Sequence, residues 1–308
     1  MTVSYVVTVY NKAPYLPMVL AMIEAEWRAT GGEIVVVDDG STDGSVALLR
    51  AFANARAHVI LHEQANAGVA AATNCGVFLA SQPLLRLVDA DDLLVAGSTT
   101  RLMRALDETG AGFAYGRFGN YLPGTPLPPP PAATAEPAQL VADGLWRMLT
   151  SQPFVPSATL AVRARVLDAF PLPDGPRTSQ DFSMGLRIGR LTPFAAVADT
   201  VCLLPSDAPG RLSASKARMY SDTALLVALQ WEGGDAWPAK HRRYAVQRAA
   251  GRARHYARRH LSYPKGRMAW LLAVSLASRL PILSFGAGTL RRIAAVYAEA
   301  LVDPTRYP

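Results

Sequence analysis

At 308 residues the chain suits one large domain or two small ones, and with half its residues hydrophobic it can build a packed core, which excludes a disordered chain. Its two cysteines, Cys75 and Cys202, stand far apart in apolar surroundings without metal-ligand spacing, which favours buried, reduced thiols over a disulfide framework or a thiolate metal site. The net charge of +7 sits in one place: residues 236–298 hold no Asp or Glu but thirteen Lys and Arg, so the remainder is close to neutral or acidic.

Residues 3–10 read as a buried strand and residues 33–39 as a second. Between them Leu16, Val19, Leu20, Ile23 and Trp27 recur at spacings of three and four, the helical period. Strand, helix and strand in so short a span make a βαβ unit with a right-handed crossover. Residues 43–53 then read as helix, 58–62 as strand, 68–79 as an alanine-rich helix and 84–88 as strand. This alternation predicts an α/β fold, a mostly parallel sheet flanked by helices, with ligands bound at the carboxyl ends of the strands. Tyr10-Asn11, Asp38-Asp39 and Asp89-Ala90-Asp91-Asp92 all fall at such ends.

The apolar run Leu84-Leu85-Arg86-Leu87-Val88 stops abruptly at three carboxylates in four positions, Asp89, Asp91 and Asp92. Buried carboxylates need a counter-charge, and hard oxygen ligands suit Mg²⁺ or Mn²⁺, which keep open positions for water and phosphate. A capped turn explains the same residues when they are taken alone. Asp38-Asp39-Gly40-Ser41-Thr42-Asp43-Gly44 is likewise a strand end, a tight turn and a helix start, with Ser41, Thr42 or Asp43 able to cap. A carboxylate there can accept hydrogen bonds from a base or a ribose hydroxyl, and a plain βα turn also fits.

Four ordered blocks together resemble family-2 glycosyltransferases: Val6-Val7-Thr8-Val9-Tyr10-Asn11-Lys12, Val35-Val36-Val37-Asp38-Asp39-Gly40-Ser41-Thr42-Asp43, Asn66-Ala67-Gly68-Val69-Ala70-Ala71-Ala72-Thr73-Asn74-Cys75-Gly76, and Leu87-Val88-Asp89-Ala90-Asp91-Asp92. The resemblance implies a GT-A domain that binds a nucleotide-diphosphate sugar. It implies that Thr8, Tyr10 and Asp39 hold base and ribose, and that Asn66 and Gly68 line the wall facing the donor. It also implies that Asp89 and Asp91 form the DXD element, with Asp91 ahead of Asp89 as the direct metal ligand. One departure is Thr73, where the family usually carries Arg.

Further on, residues 123–137 hold seven prolines and read as an extended surface loop, a family-specific insertion. Residues 138–149 read as helix and 157–162 as strand. Arg163-Ala164-Arg165-Val166-Leu167-Asp168-Ala169-Phe170 resembles the family's segment leading to the acceptor side. Thr178-Ser179-Gln180-Asp181-Phe182 stands where the family carries Glu-Asp and an aromatic, with Gln180 in place of the glutamate. Asp181 is thereby implied as the base that takes the acceptor's proton in an inverting transfer; a dipole-favoured charge at the start of a helix is the simpler alternative. Ser206-Asp207-Ala208-Pro209-Gly210-Arg211-Leu212-Ser213 resembles the loop that closes over the diphosphate. Arg211 and Ser213 are the implied contacts, and Asp207 stands near a common family histidine. The five histidines show no shared metal-ligand spacing.

The expected division is a catalytic domain over residues 1–215 and a basic helical region over 216–308. Residues 268–290 are largely apolar but broken by Arg279 and Pro281, leaving eleven uninterrupted residues where about 20 are needed to span a bilayer. An in-plane helix on an anionic membrane surface is expected instead. The chain opens without a basic n-region, so a cytoplasmic location is expected, peripheral on the inner face of the cytoplasmic membrane. The acceptor is expected to be a glycan or a lipid-linked sugar of cell-surface polysaccharide synthesis. Nucleic acid is not an expected partner, since DNA or RNA binding leaves Asp89, Asp91 and Asp181 unexplained. A nucleotidyltransferase or redox dinucleotide enzyme is disfavoured because the first turn has no glycine.

Overall fold

Four runs form the parallel half of one sheet, the first three rich in β-branched residues and the fourth in leucine: β1 (Val3–Val9), β2 (Gly32–Asp38), β3 (Val59–Glu63) and β4 (Leu84–Asp89). They lie in the order β3-β2-β1-β4. The chain runs outward from β1 to β3, then returns to the other side of β1. In sheets of this kind ligands bind outside the carboxyl ends at such a reversal, here the β1–β4 crevice. Helices α1 (Leu16–Thr30), α2 (Ser45–Asn54) and α3 (Val69–Leu79) make the crossovers. Leu16, Val19, Leu20 and Ile23 of α1 are buried, as their spacing requires. Gly76 lets α3 lie close on β1, since a Cβ there would stand 2.4 Å from Val6 Cγ1.

Beyond β4 the sheet is mixed. After the short β5 (Leu93–Leu94) and α4 (Ser98–Thr109) come β6 (Phe113–Tyr121), β7 (Gln139–Val141), α5 (Gly144–Ser151), β8 (Thr159–Val162), α6 (Arg163–Val166), α7 (Gln180–Leu191) and β9 (Phe194–Pro205). Strand β8 pairs antiparallel with β4 and β6, β6 runs parallel to β9, and β5 and β7 pair antiparallel with β9. The expected α/β class is therefore correct, with parallel pairing concentrated in the first four strands. Residues 138–149 are not one helix: β7 pairs with β9, and α5 begins only where the Asp143 carboxylate accepts from Trp146 N–H at 2.8 Å. The strand expected over 157–162 opens with a 3-10 turn, Pro156–Ala158. Cys202 is buried and Cys75 only partly so; both are free.

The computed structural model describes residues 1–54, 56–127, 134, 136–173, 176, 178–206, 215–234, 236–261, 265–298 and 301. The chain divides into two units, Met1–Leu172 with Met184–Pro209, and Pro173–Ser183 with Gly210–Pro308. The second is helical, as expected after residue 215: α8 (Lys216–Glu232), α9 (Ala239–His260), α10 (Lys265–Ala277) and α11 (Ala287–Ala294). Tyr256 and Tyr297 meet in its core with ring centroids 5.2 Å apart, and Arg291 pairs bidentately with Glu232.

The first unit's core holds a charge inside the apolar run of β4. Arg86 is fully buried and donates to Thr99 Oγ1 at 2.7 Å and Ser98 Oγ at 2.9 Å. Thr99 Oγ1 in turn donates to Glu26 at 2.6 Å, and Glu26 also accepts from the Gly97 and Thr99 N–H groups. Burial pulls the Arg86 pKa down while the Glu26 charge opposes it. Arg86 reaches Glu26 through Thr99 rather than directly, and Glu26 keeps its Gly97 and Thr99 donors without it. Arg86→Met is therefore expected to cost about 1.5–3 kcal/mol, the scale of a lost charged hydrogen bond, and to lower the urea midpoint by that equivalent without changing the slope. A loss below about 1 kcal/mol would remove the guanidinium from this role.

Candidate active site

Register brings the expected strand ends to one level: Val9 lies beside Asp38, and Thr8 beside both Val37 and Asp89. Above them the turns after β1 and β2 are stitched together. Asn11, in the left-handed region at φ +52°, donates its N–H to Ser41 Oγ (2.9 Å) and accepts from Thr42 N–H (2.7 Å). Lys12 N–H donates to Ser45 Oγ and Ala13 N–H to Asp43, each at 3.0 Å. Among the possible caps the structure selects Asp43, which accepts from Ser45 N–H at 3.0 Å. Desolvation pushes the Asp43 pKa up, but its hydrogen bonds from Ser45 and Ala13 outweigh that and leave it low. Gly40 is required twice over, by φ +74° and because a Cβ would stand 2.7 Å from Asn66 N. Tyr10, 48% exposed, stands at the open side of this turn.

Asp39 is only 2% exposed, and its carboxylate is fully engaged. Oδ1 accepts from Gln64 Nε2 and Ala67 N–H, both at 2.8 Å; Oδ2 accepts from Gly68 N–H (2.9 Å) and Asn66 Nδ2 (3.2 Å). Four donors match the carboxylate's four lone-pair positions. Asp39 thus brings Asn66 and Gly68 to the end of β2, as a clamp on that loop. Any nucleotide contact through its oxygens must share them with Gln64, Asn66 and Gly68. Its neighbour Asp38 accepts from Ser41 N–H at 2.9 Å, while Asp38 Oδ1 is buried with no hydrogen-bond partner among the described residues.

The three carboxylates after β4 divide their roles. Asp92 is buried and accepts from Ser157 Oγ at 2.7 Å, and that same oxygen accepts from Asp89 N–H at 3.0 Å. Asp92 N–H closes the turn onto Asp89 O at 2.9 Å. Asp92 is therefore the capped turn, and Asp91 is the outward partner. Its Oδ2 meets Lys12 Nζ at 2.5 Å, and its backbone carbonyl accepts from the Tyr121 hydroxyl at 2.7 Å. Burial, then the charges of Asp91 and Asp92, push the Tyr121 phenol far up, so it remains a donor.

Among the described residues no three His, Cys, Asp or Glu side chains are grouped to hold a metal by themselves. Mg²⁺ commonly takes one or two carboxylates and completes its shell with water and phosphate. Asp91 already accepts a cationic partner, the Lys12 ammonium, so its carboxylate is placed to meet positive charge and fits such an ion.

Asp181 lies in the second unit, in the first turn of α7, where its carboxylate accepts from Phe182 N–H at 2.8 Å. The approach to it is anchored: Asp222 of α8 accepts from both the N–H (2.9 Å) and the hydroxyl (2.8 Å) of Thr178. Ser179 then takes φ +65°, rare for a residue with a side chain. Arg211, Ser213 and Asp207 lie outside the described residues, as do residues 128–131 of the proline-rich loop. Lys12, Gln64, Tyr121 and Ser157 carry contacts here that the sequence reading did not assign. Lys12 stood inside a quoted block, two residues past Tyr10, and that position was its one signal.

A family model described as glycosyl transferase family 2 matches residues 4–164. The chain belongs to that family. Among curated family-2 relatives, glycosyltransferase GlyG of Streptococcus pneumoniae is 33% identical over 122 residues, 39% of this chain and 40% of GlyG. The succinoglycan biosynthesis protein ExoU of Rhizobium meliloti is 31% identical over 135 residues, 39% of each chain. The chain thus spans well under half the length of these relatives. Among solved structures, S. aureus TarS 1-349 in complex with UDP-GlcNAc is similar over 97% of this chain and 92% of that one, with a TM-score of 0.67 and 15% identity. The mannosyltransferase PcManGT of Pyrobaculum calidifontis, in complex with GDP-Man and Mn²⁺, has a TM-score of 0.53 at 18% identity, covering 98% and 86%. These likenesses show the GT-A type fold for this family-2 chain.

Proposed function

We propose that this chain transfers a sugar, with inversion, from a nucleotide-diphosphate donor to a glycan or lipid-linked acceptor in cell-surface polysaccharide synthesis. The observation that carries the reading is Asp91, held at the mouth of the β1–β4 crevice against Lys12, level with the clamped turns that follow β1 and β2. Thr8, Tyr10 and the Asp39 clamp with Asn66 and Gly68 frame the nucleoside. Asp91 and Asp89 would hold a Mg²⁺ or Mn²⁺ ion, which when bound would supply charge neutralisation for the departing diphosphate. Lys12 adds a compact positive charge beside it. Asp181 takes the proton from the attacking hydroxyl, and one displacement opposite the leaving group inverts the anomeric carbon. Arg211 and Ser213 belong to the same reading as contacts to the diphosphate. Named relatives support it: ExoU is a succinoglycan biosynthesis protein, and TarS and PcManGT were solved with UDP-GlcNAc and with GDP-Man. The division into residues 1–215 and 216–308, and an anionic membrane surface met by the latter, complete the proposal.

A ligand that binds only the folded state stabilises it by about 2.7 kcal/mol at a hundredfold excess over Kd. A panel of UDP- and GDP-sugars in a thermal-shift assay is therefore expected to yield at least one donor that raises Tm, more so with Mn²⁺. If no nucleoside diphosphate or nucleotide sugar stabilises the chain with or without Mn²⁺, the assignment fails.

A further inference from the structure

Helix α10 is apolar on two faces. Leu271 and Val274 are one helical step apart and buried, while Ala269, Leu272, Ala273 and Leu276 recur at helical spacing and are exposed. The chain continues into Leu280, Pro281, Ile282 and Leu283, all exposed, Ile282 by 87%. A helix that is apolar all round belongs in a core or against lipid. Arg243 donates to Pro281 O (3.2 Å) and Arg242 to Phe285 O (2.9 Å), which fixes this apolar tip to α9. Lys265 and Arg267 precede the stripe and Arg279 follows it, with no carboxylate from residue 236 to 298. No helix among the described residues is long and apolar enough to cross a membrane.

Beside the stripe, Tyr244, Gln247, Arg248, Arg252, Ser275 and Arg279 line a pocket between α9 and α10. Arg248 Nη1 is buried there without a hydrogen-bond partner among the described residues. Burial, and then the Arg252 charge, hold Arg248 below its ordinary pKa, so an anion in the pocket relieves both costs. Three guanidiniums and an unused buried donor suit a phosphate, whose oxygens accept several charge-assisted hydrogen bonds.

We infer that α10 and the tip at residues 280–283 enter the surface of an anionic bilayer, with a lipid phosphate seated in the Arg248–Arg252–Arg279 pocket. The inference deepens the membrane partner of the proposed function and rests on that reading for its purpose, while its test needs no sugar donor. Nucleic acid would use the cations but leave the apolar stripe unmet. A second copy of the chain would set like charge against like.

The full chain is mixed with phosphatidylglycerol–phosphatidylcholine vesicles or pure phosphatidylcholine vesicles and sedimented. Binding to the anionic vesicles, weakened by salt, is expected. Ile282→Asp or Leu276→Asp should lower partitioning more than about tenfold through lost apolar burial. Arg279→Gln and Arg248→Gln should each lower it about fivefold. Both apolar side chains and Arg279 are exposed, so those variants keep the wild-type Tm and carry the test even if Arg248→Gln misfolds. Equal binding to neutral vesicles, or none to either, overturns the inference. So does stabilisation by glycerol phosphate with vesicle binding indifferent to Ile282→Asp, which marks a small-anion site, or salt-steep DNA binding that survives that variant. Donor-induced thermal shifts on the same proteins separate failure here from failure of the transferase reading.

Discussion

Asp91→Asn is expected to abolish Mn²⁺-dependent binding of a uridine or guanosine diphosphate probe and to lower turnover by about a thousandfold or more. A bound cation contributes several kcal/mol to a departing anion, and about 1.4 kcal/mol is a factor of ten in rate. The substitution keeps the shape of the side chain and the backbone carbonyl that accepts from Tyr121, and it removes a charge. What it breaks in the chain is one partly exposed pair with Lys12, a loss of about 1 kcal/mol or less, so the variant should remain folded. Lys12→Met is the informative companion. With the competing ammonium gone, Asp91 is expected to take Mn²⁺ more tightly in the absence of nucleotide, by a few-fold in a direct titration, while diphosphate affinity falls. Unchanged Mn²⁺-dependent probe affinity in Asp91→Asn would place the metal elsewhere.

The parallel half of the sheet was legible because β1, β2 and β4 are buried on both faces and read as continuous apolar runs. Their ends are legible because Tyr10-Asn11, Asp38-Asp39 and Asp89 interrupt those runs with polar groups. What escaped notice has non-local causes. Strand β6 carries Gly116, Arg117 and Gly119, which look like loop residues, yet Gly116 is dictated by Val201 of β9, whose methyl groups leave no room for a Cβ. Residues 139–141 became a strand because β9 offered an edge. Arg86 sits in an apolar run, and the groups that meet it come from α4, the 3-10 turn at Ser157 and Val201 of β9. The same holds in the site. Nothing near Lys12 announces Asp91, 79 positions away, and nothing near Asp39 announces that its donors arrive from residues 64–68.

Asp181→Asn is expected to leave donor binding intact and to lower kcat by about a hundred- to ten-thousandfold, the range supplied by a positioned general base. An amide keeps the hydrogen bond from Phe182 N–H through its carbonyl oxygen but cannot take a proton. A purely structural Asp181 predicts something else. A charge in the first turn of α7 is worth about 0.3–1 kcal/mol through the helix dipole, so its loss would lower Tm slightly and leave turnover near wild type. The pH profile separates the two: a carboxylate base works only when ionised, so the wild-type rate falls toward low pH, and that fall is lost in the variant. Asp222→Ala supplies the positioning arm. It releases both hydrogen bonds on Thr178, one residue before the left-handed Ser179, and is expected to lower kcat while the fall toward low pH persists. Full turnover in Asp181→Asn removes that residue from the proton transfer. Loss of the low-pH fall in Asp222→Ala instead would move the base role toward Asp222, whose carboxylate then does more than hold a loop.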